Sequence, residues 1–382
     1  MRPLCSALIV LFSFFSAAAQ DSLYARKVIK YLTSKACFGR GYVNNGLAKA
    51  GNYIGAELKQ QNINPLFGSS YFQNFSFNVN TFPGSMEVKV NGHKLAPGYD
   101  FIVSPDSKGL HGSFDVIKKD SVTFASATVP LIIKLKRKLT FSVADAPSNT
   151  CTLLLLDNGR YGEISKVEAD IDNKLETAYP NRNIGGVIAG TKNNDSMIVF
   201  SAHYDHLGGM GKKTFFPGAN DNASGVSMVL NLMKYYKAHP PAYKTVFLFF
   251  AGEEAGLLGS KYFIESWAID LAKIKFLINL DLLGTGDDGI MVVNGAVHQK
   301  EFDLLNTVNK ESKLVKEIKK RGKASNSDHY WFSEAGVPCF FIYTMGGITA
   351  YHDIYDIEKT LPLTDYKDVF RLITGFVNRL GN

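Results

Sequence analysis

No stretch of this 382-residue chain combines the length and apolarity of a membrane-spanning helix, which takes about 20 residues; the apolar run from Leu8 to Phe15 is too short. No transmembrane segment is therefore expected. Internal repeats and low-complexity tracts are absent too, so the length points to one large domain or to one domain carrying an insertion. Cysteine is scarce. Of the four, Cys5 precedes the apolar run, and Cys37, Cys151 and Cys339 stand outside any Cys-X-X-Cys pair or nucleophile motif, which leaves them structural or inert roles. The net charge of +7 is mild for this length and comes from local groups: Lys134, Lys136, Arg137 and Lys138, then Lys319, Lys320, Arg321 and Lys323. Neither group has the aromatic interleaving of a nucleic-acid surface, so no nucleic-acid partner is expected. Both read as solvated edges that discourage strand pairing, with an anionic surface partner as the alternative.

What is present begins with a targeting segment. Arg2, the run Leu8 to Phe15 and Ala17-Ala18-Ala19 before Gln20 make a secretory signal over residues 1–19, cleaved after Ala19. The mature protein is then secreted or periplasmic. Cys5 lies upstream of the apolar run and not at the cleavage site, which speaks against a lipid-anchored amino terminus. Removal of the signal leaves Cys37, Cys151 and Cys339, an odd number that permits at most one intramolecular disulfide, with its pairing open.

Residues 24–62 read as helical, with Ala50, Tyr53, Ile54 and Leu58 at helical spacing before Asn64-Pro65 ends the pattern. Residues 71–80 alternate as a strand. Short β-like runs such as MEVKVNG, LIIKLK and CTLLLLD follow, broken by Gly, Pro and Asp. This texture predicts a small β-rich module at 86–175 inserted into a larger domain made of residues 20–85 and 176–382. From about 183 onward apolar strands alternate with helical patterns, which predicts an α/β fold: a mixed, mostly parallel sheet covered by helices on both faces. Open sheets of that kind place their sites at the carboxyl ends of strands.

Five segments of the second half carry candidate metal ligands there: SAHYDHLGG, GANDNASGV, FAGEEAGLLGS, FLINLDLLG and TAYHDIYD, with His203, Asp221, Glu254, Asp281 and His352. Asp205 lies two residues beyond His203, on the same side of an extended chain, where its carboxylate can accept the second imidazole proton. His206 reads as a loop histidine and not a ligand. Asp221 precedes a helix that begins near Ser224, so it serves either as a helix cap or as a carboxylate bridging two cations. Glu253 and Glu254 diverge at a strand end, so that one can bind metal while the other faces a water. Asp281, between Leu280 and Leu282 on a strand that reads as buried, is costly unless neutralised, paired or metal-bound. Imidazole with carboxylate favours zinc over calcium or magnesium.

These motifs resemble the di-zinc aminopeptidases related to glutamate carboxypeptidase and the transferrin receptor ectodomain. The resemblance covers most of 24–80 and 183–382, including CFGRGYVNNG at 37–46; the module resembles a protease-associated domain only loosely. It implies two Zn²⁺ per chain, one held by His203, Asp221 and Asp281, the other by Asp221, Glu254 and His352. It implies Glu253 as general base, Asp205 as the support of His203, Tyr351 as a group polarising the scissile carbonyl, a cis Asp221–Asn222 peptide, and peptides with a free amino terminus as substrates. Asp328 and His329 match a segment that supports the ligands. The chain departs from the pattern at Ile348, where relatives often carry histidine, and at His352-Asp353-Ile354, where they have His-Thr-Pro. The rival readings are a glutaminyl cyclase of the same fold and a receptor-like binding protein that has lost catalysis.

Overall fold

The computed structural model describes residues 22–192 and 194–380; the signal segment, with Cys5, lies outside them. Its centre is a nine-stranded sheet. Four parallel strands occupy the middle in the order Lys244–Phe250, Met197–His203, Ile274–Leu280 and Cys339–Thr344. Antiparallel pairing flanks them: Lys174–Ile188 on one side, against which Phe72–Thr81 and Asn64–Pro65 pair, and Ile290–Val293 on the other, followed by Ile318–Lys320.

The apolar runs of the central strands are buried on both faces, which is why they do not alternate with polar residues. Ile198 and Phe200 join the core under the helices Ser22–Leu32, Gly46–Gln60, Gly225–Ala238 and Tyr366–Leu380. Their neighbours Met197 and Val199 point to the opposite core, where Phe263 of Leu258–Glu265 and Phe332 of His329–Glu334 close the other side. The α/β architecture with helices on both faces is thus the one the sequence predicts.

Residues 24–62 are not one helical stretch. Two helices, Ser22–Leu32 and Gly46–Gln60, are separated by the irregular segment around Phe38–Arg40. Gly39 and Gly41 lie so close to Gly208 that a methyl group on either would collide with its backbone, and Gly39 is left-handed, a conformation glycine takes at no steric cost. Gly39, Gly41 and Asn44-Asn45 interrupt the helical pattern here, and the close approach to Gly208 brings Arg40 beneath the loops after Met197–His203.

Between Met86 and Ile171 the chain forms a five-stranded and a four-stranded sheet around their own core, with Phe101, Ile133, Leu153 and Val167 at its centre. Leu207, Met210 and Phe216, from the segment after His203, complete that core, so the β-rich module rests directly on a site loop. Lys174 and Leu175 already belong to the long strand of the central sheet. Cys37, Cys151 and Cys339 are free, buried thiols; burial pushes Cys339 up to about 11, which keeps it protonated and inert. No helix among the described residues is long and apolar enough to cross a membrane.

Candidate metal centre

The five candidate ligands converge where the central parallel strands end. His203 is the last residue of its strand and is buried. Its Nε2 lies 3.3 Å from Asp221 Oδ1 and 3.4 Å from Asp281 Oδ2. His352 Nε2 lies 3.0 Å from Asp221 Oδ2 and 3.2 Å from Glu254 Oε2. Asp221 therefore turns one oxygen to each histidine. Glu253 lies beside this cluster but farther from the imidazoles, with Oε2 4.0 Å from His203 Nε2 and its side chain 14% exposed.

Asp205 approaches Nδ1 of His203 more closely with its backbone carbonyl than with the carboxylate to which the sequence points. The Nδ1–H of His203 points to the Asp205 carbonyl at 3.3 Å, while the nearest carboxylate oxygen is 3.7 Å away. That carboxylate instead accepts from the Tyr42 hydroxyl at 3.0 Å and from the backbone N–H groups of Glu253 and Glu254 at 3.2 and 3.3 Å. Asp205 thus fixes the turn that aims both glutamates, and the tautomer that frees His203 Nε2 is set by a main-chain acceptor.

Other supports were not legible as such in the sequence. His206 is fully buried and donates from Nδ1 to Glu254 Oε1 at 2.7 Å, leaving Oε2 for the His352 side. Arg40, also fully buried, donates to five carbonyls: Leu32, Tyr204, Pro217, Gly218 and Asp221. Asp356 accepts from the N–H groups of Asn220 and Asp221 at 2.8 and 3.0 Å. Asn222 ties the end of the same loop to the Leu280 carbonyl and the Gly225 N–H. The Asp221–Asn222 peptide is cis. Behind Asp281, Ser201 donates to Asn279, Asn279 to Ser327, and Ser327 to Asp281 Oδ2 at 3.1 Å. Asp328 accepts from Ser260, and His329 is buried with its ring tilted against that of Phe341 at 5.2 Å.

Carboxylates and imidazoles are packed here at close range and shift one another strongly. Burial alone would raise Asp221, but the His203 and His352 rings hold it well below the usual carboxylate range. Burial and Asp221 would raise Glu254, whereas bonds from His206 and His352 hold it at about 2. Burial pushes Asp281 up, and it pushes Glu253 well up, with the charge of Glu254 adding to the effect. Against its burial, Asp221 and Glu254 lift His352 to about 11. Asp281 Oδ1 is buried without a hydrogen-bond partner. Two groups, His203 with Asp221 and Glu254, and His203 with Glu253 and Asp281, each place their ligand atoms close enough to share an ion. Nitrogen and oxygen donors in this density, with an orphaned oxygen among them, fit divalent metal.

The cluster opens into a cleft of about 520 Å³ whose far wall is Leu282, Phe341 and Tyr343. Tyr351 stands at its mouth, 45% exposed, its ring stacked on His352 at 3.9 Å.

The sequence pattern of peptidase family M28 matches residues 183–377, the segment that contains all five candidate ligands. Aminopeptidase YwaD of Bacillus subtilis (strain 168) is 30% identical over 175 residues, 44% of this chain and 37% of that protein. A probable leucine aminopeptidase of Arthroderma otae is 28% identical over 236 residues, 58% of this chain and 63% of its own length. The aligned segments thus span less than two thirds of either relative. The chain is similar in fold to the zinc aminopeptidase BSAP from Bacillus subtilis, with a TM-score of 0.69 at 17% identity over 94% of this chain and 95% of the other. It is similar as well to a leucine aminopeptidase precursor from Bacteroides thetaiotaomicron VPI-5482, with a TM-score of 0.57 at 15% identity over 94% and 97%. With the match covering half of its length and the whole ligand cluster, the chain belongs to peptidase family M28.

Proposed function

We propose that the protein is a secreted or periplasmic aminopeptidase that hydrolyses the first peptide bond of peptides with a free amino terminus, using two zinc ions. The observation that carries this reading is Asp221, whose two oxygens face two different histidines. His203, Asp221 and Asp281 would hold one ion, and Asp221, Glu254 and His352 the other. Zinc bound there would supply Lewis acidity, lowering the pKa of water and polarising a carbonyl. Glu253 faces the cleft without being drawn into either histidine pair, so it can take the proton of the attacking water and pass it to the leaving amine. Tyr351 presents its hydroxyl at the cleft mouth, where it can donate to the scissile carbonyl as negative charge develops. Asp205 and His206 hold Glu253 and Glu254 in register. Residues 20–85 and 176–382 would form the peptidase domain, with 86–175 inserted as a module beside the site.

Elemental analysis of purified protein, paired with hydrolysis of aminoacyl anilides and their N-blocked counterparts, tests the reading. Close to two zinc ions per chain and turnover of the free amines alone are the expected results. A glutaminyl cyclase would use one zinc and cyclise an amino-terminal glutamine, and a receptor-like protein would turn over neither anilide. The complete ligand set and the retained Glu253 favour the peptidase over both.

A further inference from the structure

A second recess, of about 720 Å³, lies between the β-rich module and the loop that carries Tyr351 and His352. Leu139 and Leu156 form its apolar floor. Tyr99 and Tyr355, each 55% exposed, meet edge to face at 6.2 Å on its rim. Thr349 and Ala350 line it too, and the next two residues, Tyr351 and His352, line the cleft, so one loop borders both. Two cations border it, and they differ. Lys138 is engaged, donating to the Thr349 carbonyl at 2.8 Å and pairing with Asp353 at 3.2 Å. Arg137 has neither an ion-pair nor a hydrogen-bond partner among the described residues. Lys134 and Lys136, exposed on the strand Leu131–Lys136 that leads into it, add to the positive field.

We infer that this recess binds a carboxylate on the downstream part of a peptide whose amino end lies in the cleft, with Arg137 as its partner. The inference rests on the aminopeptidase reading and narrows its substrate class. In that reading the amino-terminal residue enters the cleft, and the rest of the chain must leave it past Tyr351. Extended peptide advances about 3.3 Å per residue, so the part of a substrate that leaves the cleft past Tyr351 can run along the shared loop toward the recess. A guanidinium presents two parallel N–H groups to a carboxylate. The tyrosine faces and the leucine floor suit the flanking peptide. The carboxylate can be the carboxyl terminus of a short peptide or an acidic side chain near the third position, and both place the same group in the same recess.

The zinc-loaded full-length protein can be assayed on three tripeptides with amino-terminal leucine: the free acid, its carboxyl-terminal amide, and an amide with aspartate in third place. The expected result is a kcat/KM about five- to tenfold higher for one or both of the carboxylate-bearing peptides than for the neutral amide, carried mainly by KM. Which of the two is favoured tells carboxyl terminus from acidic side chain. Within Arg137→Ala the ratio should fall to near one, and within Arg137→Lys to an intermediate value; being internal to each variant, it is insensitive to partial unfolding. Equal kcat/KM for all three peptides in the unaltered protein, or a preference that survives in Arg137→Ala, overturns the proposal. A panel of aminoacyl anilides, which have no carboxylate, checks the underlying reading separately: if none is hydrolysed, the aminopeptidase assignment falls and this proposal with it.

Discussion

Phe141, in the β-rich module, donates its backbone N–H to the carbonyl oxygen of His352 at 2.8 Å. Its ring stacks on Phe216 at 4.7 Å. The module thus holds a ligand-bearing loop directly, and three residues earlier Lys138 spans the same junction to Thr349 and Asp353.

This junction gives the first prediction. Lys138→Met removes the cross-junction pair and leaves most of the apolar stem. The pair is half-exposed at the lysine end, so global stability should change little. The loop, however, loses one of the contacts that tie it to the module. The ion held by His352 should bind several-fold more weakly, while the ion on the His203 side is largely unaffected. Competition with a graded series of chelators would measure this, and equal weakening of both ions would show that the pair does not act on the loop.

Arg40 supports the second. Its guanidinium meets five carbonyls from three segments, and no ammonium has enough donors to replace it. Arg40→Lys should cost about 3 kcal/mol in urea unfolding, because buried carbonyls are left without donors. Since one of those carbonyls is that of Asp221, zinc content should fall along with stability. A variant as stable as the parent would mean that water takes over the lost bonds.

The contrast between Arg40 and the ligands shows what a sequence displays. Asp281 is conspicuous because a carboxylate among leucines on an apolar strand has a visible cost, and His203 and Glu254 are marked by their places at and just past strand ends. Arg40 carries no such mark. The glycines on either side of it mark a break in the helix, but the partner they make room for is Gly208, far along the chain. His206 looked like one more polar residue in a loop, because nothing local reveals that it will be buried against Glu254. Asp205 was correctly placed beside His203 by alternation, yet its carboxylate is directed to the Glu253–Glu254 turn, a neighbour that only the parallel pairing of Met197–His203 with Lys244–Phe250 brings near. Residue type and position along a strand are local properties, whereas the bracing of a site is tertiary.

Metal binding should be linked to protons, which is the third prediction. Without zinc, the carboxylates around His352 lift it to about 11 against the effect of burial, and His203 is likewise raised well above its ordinary value. For a histidine raised in this way, the stabilisation of the metal-free fold is fully present below the unfolded value near 6.5 and is lost as pH rises through about 11. Zinc needs the neutral ring and must displace that proton, so apparent affinity should rise with pH across the neutral range. Calorimetric titration of zinc into metal-free protein in two buffers of different ionisation enthalpy should show roughly one proton released per ion at neutral pH. Binding without proton release would contradict the imidazole assignment.

Glu253 and Glu254 are adjacent in sequence, yet the structure gives them different surroundings, and the final prediction separates them. Glu254 is held between His206 and His352, with one oxygen toward each. Glu254→Ala should therefore lose zinc and activity together. Glu253 faces the cleft and touches neither histidine within hydrogen-bond reach. Glu253→Gln keeps its volume and cannot accept a proton, so zinc content and unfolding midpoint should remain those of the parent. Turnover should fall by roughly 10²–10⁴, the usual contribution of a general base, with KM little altered because peptide binding does not depend on the proton. Loss of zinc in Glu253→Gln would instead make Glu253 a ligand. Unimpaired turnover with both ions bound would require another base and would leave the metal site standing without the mechanism proposed for it.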